Sequence, residues 1–238
     1  MNLKIKFLEL EKKIGVNFKN KDLLIQAFVH RSYLNEHPHF QYSHNERFEF
    51  LGDAVLELIV TEYLFENFNV DEGELTNLRA ALVRGESLAS IARELRFEKY
   101  LFLSKGEQKN QGRAKEIILA NAFEAFLGAL YLDQGLEAVR IFLEKYLLPQ
   151  AKVIFENNLH KDPKTTFQEY IQEKYKITPH YKVLEEKGPD HQKIFKVGVF
   201  VNSEKWAEGE GFSKQRAEEM AALRALEKIR LNSNENLV

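Results

Sequence analysis

The spacing of apolar residues changes period once along this chain, near Asn157, and no other feature constrains the fold as much. Upstream the period is helical. Leu23, Leu24, Ala27 and Phe28 recur on one face, and Glu46 to Phe65 is a long apolar helix. Leu75 to Leu95 reads as a helix pair broken near Gly85, and Ile117–Leu132 and Leu136–Phe155 complete the set. Proline is nearly absent here, so little interrupts these helices. Loops fall at Asn35–Ser43, Asn69–Gly73 and Ser104–Arg113. Downstream the period is two: Phe195, Val197, Val199 and Val201 alternate with Lys196, Gly198 and Phe200. Tyr181–Leu184 and Lys205–Glu208 read as companion strands. Pro163 opens a helix over Thr165–Tyr175, and Ser213 caps a closing helix whose stripe is Ala217, Ala221, Ala225 and Ile229. The predicted organisation is α+β and multidomain. A helical domain spans 1–156, a linker 157–162, an α-β-β-β-α domain 163–231 and a disordered tail 232–238.

Composition removes several classes of function. There is no Cys, which excludes a disulfide framework, thiolate zinc sites and Cys nucleophiles. A formal net charge of −2 excludes a uniformly basic nucleic-acid coat but not a locally basic face. The first residues scatter charges where a signal peptide would be apolar. The longest apolar run, Ile117–Leu132, is too short for a membrane span and is interrupted by Asn121 and Glu124. A cytoplasmic protein without a membrane partner is the expectation.

Chemistry concentrates in the stretch from His44 to Leu56. At 100° per residue, Glu46, Glu49 and Asp53 fall within about 60° of one another on one helix. The rest of that helix (Phe48, Leu51, Val55, Leu58, Ile59) is apolar nearly all round, which predicts burial. Gly52 lowers helix propensity by roughly 1 kcal/mol, so close approach of a second helix is its expected role. Ionised carboxylates on a buried helix need positive charge beside them, from arginines or hard cations. Asn121 and Glu124 interrupt a second apolar helix at i and i+3. Two such helices can converge on Mg²⁺, which takes carboxylate and water oxygens. A stripe of acids is also what an ordinary solvated helix presents. Spacing alone leaves both readings open and names no reaction.

The run Asn45-Glu-Arg-Phe-Glu-Phe-Leu-Gly-Asp-Ala-Val55 resembles the signature of bacterial ribonuclease III. Further similar stretches follow in order at Ala27–Tyr33, Gly73–Val83 and Ile118–Ala125, and the C-terminal segment resembles a double-stranded-RNA-binding domain. The resemblance implies an all-helical, homodimeric nuclease domain that hydrolyses both strands of duplex RNA in rRNA and mRNA precursor processing. It implies Mg²⁺, with Mn²⁺ as a substitute, and no small-molecule cofactor. By matching positions, Glu49, Asp53, Asn121 and Glu124 would hold the metal, and Asp53 and Glu124 would stand closest to the chemistry. Glu46 would lie at the dimer cleft. Products would carry a 5′ phosphate, a 3′ hydroxyl and a short 3′ overhang. One departure matters: the family usually has Asp where this chain has Asn121.

A-form RNA hides its major groove, so proteins read its shape, 2′-hydroxyls and phosphates. Thr165, Gln168, Glu169 and Gln172 share one face of the first helix of the second domain, and their amides and carboxylate suit 2′-hydroxyls. The turn Gly188-Pro-Asp-His191 can place His191 in a neighbouring groove. Lys214, Gln215 and Arg216 open the last helix, where backbone N–H groups and cations meet phosphates. Gln215 stands where a further Lys is common in the family. Against this, residues 162–238 hold 13 Lys+Arg and 13 Asp+Glu, so charge gives no support. His37, His39 and His44 read as loop histidines, His30 as a structural hydrogen-bonder, Arg79 as an ion-pair partner and Trp206 as packing. Two rivals remain: a duplex-RNA-binding assembly factor with cleavage impaired by Asn121, and a metal phosphohydrolase of small molecules, which leaves the second domain unexplained.

Overall fold

The computed structural model describes residues 3–189 and 193–235, in two compact units, Met1–His160 and Lys161–Val238. The first unit carries nine α-helices among its described residues. They are α1 (Leu3–Ile14), α2 (Lys21–Ala27), α3 (Arg31–Glu36), α4 (Glu46–Asn67), α5 (Glu72–Val83), α6 (Gly85–Glu94), α7 (Arg113–Gln134), α8 (Leu136–Tyr146) and α9 (Pro149–Glu156). Local chemistry sets several ends. Asn20 caps α2 by accepting from Asp22 N–H at 3.0 Å, and Asp71 caps α5 by accepting from Glu74 N–H at 2.8 Å. Helix α5 therefore starts before Gly73, inside the predicted loop. The predicted Leu136–Phe155 helix is two helices, because Pro149 has no N–H for the carbonyl four residues back and instead opens α9.

The core is organised around α7, which is apolar on nearly every side. Leu119, Ala122, Phe123, Ala125, Phe126, Leu127, Ala129 and Leu130 are all fully buried. Helices α2, α4, α6 and α8 pack against it. A chain of rings runs through the centre, with centroids of Phe28 and Phe97 4.9 Å apart, Phe97 and Phe126 5.4 Å, and Phe126 and Phe142 5.0 Å.

Helices α4 and α7 cross at backbone contact. A Cβ built on Gly52 would stand 1.8 Å from the Glu124 carbonyl oxygen, and one on Gly128 would stand 2.1 Å from the Phe48 carbonyl oxygen. Both glycines are thus required by the crossing, as expected for Gly52.

The expectation that α4 is buried all round does not hold. Val55, Leu56, Ile59 and Val60 enter the core, whereas Phe50 is 82% exposed, Leu58 55% and Phe65 77%. One chain supplies neighbours for only one side of a helix that is apolar on two.

The second unit has the order α10 (Pro163–Tyr175), β1 (His180–Lys187), β2 (Ile194–Val201), β3 (Glu204–Gly211), α11 (Lys214–Glu235). The strands form one antiparallel sheet in that order, with Val183 opposite Val197 and Val199 opposite Ala207. Alternation in β2 sends Val197, Val199 and Val201 inward, where the helices contribute Phe167, Ile171, Ala221 and Ala225. Trp206 packs edge-on against Phe167 at 5.7 Å, which makes it a core residue of this unit. Helix α11 continues through residues 232–235, where a tail was predicted, since the segment contains neither Gly nor Pro. Positions 236–238 lie outside the described residues.

Candidate functional site

The α4–α7 crossing carries the acidic residues with it. Glu49 and Asp53 flank Gly52 on α4, and Asn121 and Glu124 line the facing side of α7. Their mutual influence shows in their acidities. Burial, then the charges of Asp53 and Glu49, push the Glu124 carboxyl up to about 7. Glu49 is raised by burial and by Glu46, with Asp53 adding to the rise. Asn121 opposes that shift by hydrogen-bonding the Glu49 carboxylate, so its NH₂ group faces Glu49. Glu46 sits further out, half-exposed, 3.6 Å from an Arg31 guanidinium nitrogen and 3.5 Å from His44 Nδ1.

Neighbouring residues of the same motif hold this frame. Asn45 is buried; its Nδ2 donates to the Ala27 carbonyl at 3.0 Å and its backbone N–H donates to Val29 at 2.9 Å. That pins the start of α4 to the end of α2, a role its N-cap position did not announce. His30 caps α3 through Ser32, and burial lowers its pKa against the opposing charges of Glu107 and Glu46. Arg79 pairs with Glu57 at 3.1 Å and donates to Thr61 at 2.9 Å. His37 stacks on Tyr33 at 4.0 Å, a packing role.

The candidate donor set is all oxygen, three carboxylates and one amide, with the Glu124 carboxyl raised towards neutrality by burial and then by its acidic neighbours. That chemistry fits a hard divalent cation, which keeps several waters and takes only one or two protein carboxylates. Among the described residues no group of three His, Cys, Asp or Glu side chains is placed to hold a metal ion.

In the second unit Thr165, Gln168, Glu169 and Gln172 are exposed along one side of α10, opposite buried Phe167 and Ile171. Gln172 donates to Thr178 Oγ1 at 3.3 Å. Lys214, Gln215 and Arg216 are exposed at the start of α11, where Ser213 Oγ accepts from Arg216 N–H at 3.2 Å. His191 lies outside the described residues.

Residues 20–151 match the family model described as Ribonuclease-III-like, and residues 163–229 match the Double-stranded RNA binding motif. The chain is 49% identical over 227 residues to Ribonuclease 3 of Geobacillus kaustophilus, covering 94% of this chain and 92% of that one. It is 47% identical over 232 residues to Ribonuclease 3 of Streptococcus mutans, covering 94% and 99%. A structure of the ribonuclease III nuclease domain of Campylobacter jejuni, from work on flexibility in its dimer-forming region, superposes with TM-score 0.54 at 40% identity. It covers 60% of this chain and 99% of that one.

The raised Glu124 carboxyl makes a prediction about stability. Folding lifts it from its ordinary 4.5 to about 7, so the folded chain keeps a proton the unfolded chain has lost between those values. Its contribution is full below pH 4.5 and is lost as pH rises through about 7. After allowance for solvent screening the loss is on the order of 1–3 kcal/mol. Glu124→Gln should therefore raise the melting temperature of the metal-free protein at pH 8 by about 2–4 °C per kcal/mol, and barely change it at pH 4.5. Equal shifts at both pH values would mean that Glu124 is not under electrostatic strain.

Proposed function

The chain belongs to the ribonuclease III family and is an endoribonuclease, and from that premise we propose that it hydrolyses double-stranded RNA in a divalent-metal-dependent reaction at the α4–α7 cleft. The observation that carries this reading is the glycine-mediated α4–α7 crossing, across which the charges of Glu49 and Asp53 act on a part-buried Glu124. Mg²⁺, with Mn²⁺ as a substitute, would be held by Glu49, Asp53, Glu124 and the Asn121 oxygen. When bound, such an ion supplies Lewis acidity that generates hydroxide from water at neutral pH and offsets charge on the phosphodiester. The protein's own residues do the rest. Glu124, at about 7, gives up its proton close to neutrality and becomes a full anion. Asn121 holds the Glu49 carboxylate in place. Asp53 and Glu124 would stand closest to the scissile bond. The products expected are 5′-phosphate, 3′-hydroxyl ends with short 3′ overhangs, from rRNA and mRNA precursors.

The RNA grip is assigned to Thr165, Gln168, Glu169, Gln172, Lys214, Gln215 and Arg216. Amides and hydroxyls suit 2′-hydroxyls, which is how duplex RNA is told from DNA. Long duplex RNA should be cut in Mg²⁺ and not in EDTA, with single-stranded RNA and duplex DNA spared. Asp53→Asn or Glu124→Gln should remove cutting while leaving duplex binding within about threefold, since neither adds a positive charge beyond the cleft. Cutting that survives either change would refute the assignment.

Homodimerisation is supported by the apolar outer face of α4 at Phe50, Leu58 and Phe65. The apolar residues Phe48, Phe50, Val55 and Ile59 of this helix suggest a dimer face in the sequence, but of these only Phe50 is exposed, and Val55 and Ile59 are core residues. Light scattering should give about twice 27.8 kDa. Phe50→Asp should give the single mass with helicity intact, because Phe50 contributes little to its own chain's core. A Phe50→Asp protein that stays dimeric would move the interface elsewhere.

One observation favours a second reading, impaired cleavage. Asn121 offers an oxygen but no charge, which near a divalent ion is worth on the order of 1–3 kcal/mol, or roughly 5- to 150-fold in metal affinity. Asn121→Asp should lower the half-saturating Mg²⁺ with a smaller change in plateau rate. If the natural chain is inert at every Mg²⁺ concentration and the Asp variant is active, this protein binds duplex RNA without cutting it.

A further inference from the structure

The cations assigned to RNA phosphates are already occupied by carboxylates. Lys214 Nζ lies 3.4 Å from Glu186 Oε1, and Lys193 Nζ lies 3.5 Å from Glu186 Oε2. Glu186 is on β1 opposite Phe195, which in turn pairs with Gly211 at the end of β3, three residues before Lys214. The strand register itself therefore delivers a carboxylate to the mouth of α11. On the helix, Glu219 receives both other polar groups: Gln215 Nε2 donates to its Oε1 at 3.0 Å, and an Arg216 guanidinium nitrogen lies 3.2 Å from its Oε2. Two carboxylates thus hold Lys214, Gln215 and Arg216 together.

We propose that Glu186 and Glu219 are built-in counter-anions that take the places of backbone phosphates at the start of α11, so that duplex RNA binds this domain by displacing them. The inference rests on the assignment of Lys214 and Arg216 to phosphate contacts. It accounts for an RNA-binding domain of balanced charge, 13 cationic against 13 acidic residues over 162–238. A cation that exchanges one anionic partner for another gains less on binding than a free one. It also delivers less net charge to the phosphates, so fewer condensed counterions are released. The acids therefore lower affinity and flatten its salt dependence. Weak capture of the wrong polyanion is the consequence, since a single phosphate offers no more than the carboxylate already in place.

The test is the Kd of the full chain in EDTA for a labelled RNA duplex of about 20 base pairs, longer than the ~16 such a domain spans. It is measured from about 50 to 300 mM KCl. Glu186→Gln should tighten binding about two- to fivefold, the range of an exposed ion pair, and steepen the salt slope by up to ~1. Lys214→Ala should weaken binding, and adding Glu186→Gln to it should restore little. The control is Glu204→Gln, at the opposite end of the sheet, six residues along β2 from the Glu186 pairing and about 20 Å away. It makes the same change in net charge and should leave Kd nearly unmoved. Equal gains from Glu186→Gln and Glu204→Gln, or no gain from Glu186→Gln while Lys214→Ala weakens binding, would overturn the counter-anion. No effect from Lys214→Ala would overturn the phosphate assignment beneath it.

Discussion

The nuclease unit depends on one contact, the meeting of the α4 and α7 backbones at Gly52 and Gly128. A Cβ at either position would overlap a main-chain carbonyl, which cannot rotate aside as a side chain can. Helices in ordinary contact lie 8–10 Å apart because side chains separate them. Removing those side chains draws α4 and α7 together, and everything one turn away is drawn with them. Glu49 and Asp53 sit on either side of Gly52, and the Glu124 carbonyl is itself the atom Gly52 approaches. The crossing that packs the core is therefore the crossing that assembles the carboxylates.

That arrangement is unfavourable for the chain alone. Glu49 and Glu124 are partly buried beside an exposed Asp53, and the burial and repulsion that raise Glu49 and Glu124 work against folding at neutral pH. Large apolar burial along α7 offsets this. The strain is informative because a purely structural site would place an arginine among the acids. Arg31 does reach Glu46 at the rim, but the raised pKa of Glu124 indicates that the inner group lacks such compensation.

Much of this was legible in the residues. The change of period near Asn157 and the role of Gly52 follow from spacing and propensity, whereas spacing raises the pairing of the acid stripe with Asn121 and Glu124 without deciding it. Other features were not. The count of apolar residues on α4 predicts burial, yet periodicity cannot say whether the second face is covered by the same chain. Phe50 and Val55 look alike in sequence and differ wholly in exposure. The structural role of Asn45 depends on a carbonyl 18 residues away, beyond any local pattern. The pairing of Glu186 with Lys214 needs the three-strand register to bring its partners together.

The two faces of α4 also bear on how paired sites would be spaced. At 100° per residue Glu46, Glu49 and Asp53 occupy about 60° of the helix, and Phe50, Ala54, Leu58 and Phe65 occupy the adjoining 80° or so. The acid stripe and the exposed apolar stripe are thus edges of one rigid element. If two copies meet through the apolar stripe, the distance between their acid stripes is set by helix geometry and not by a flexible loop. An enzyme that cuts both strands of a duplex needs its two centres at a fixed separation, and a shared helix supplies it without further residues. The same reasoning explains why Phe50 follows Glu49 directly: one step of 100° turns from the chemistry to the surface that would position it.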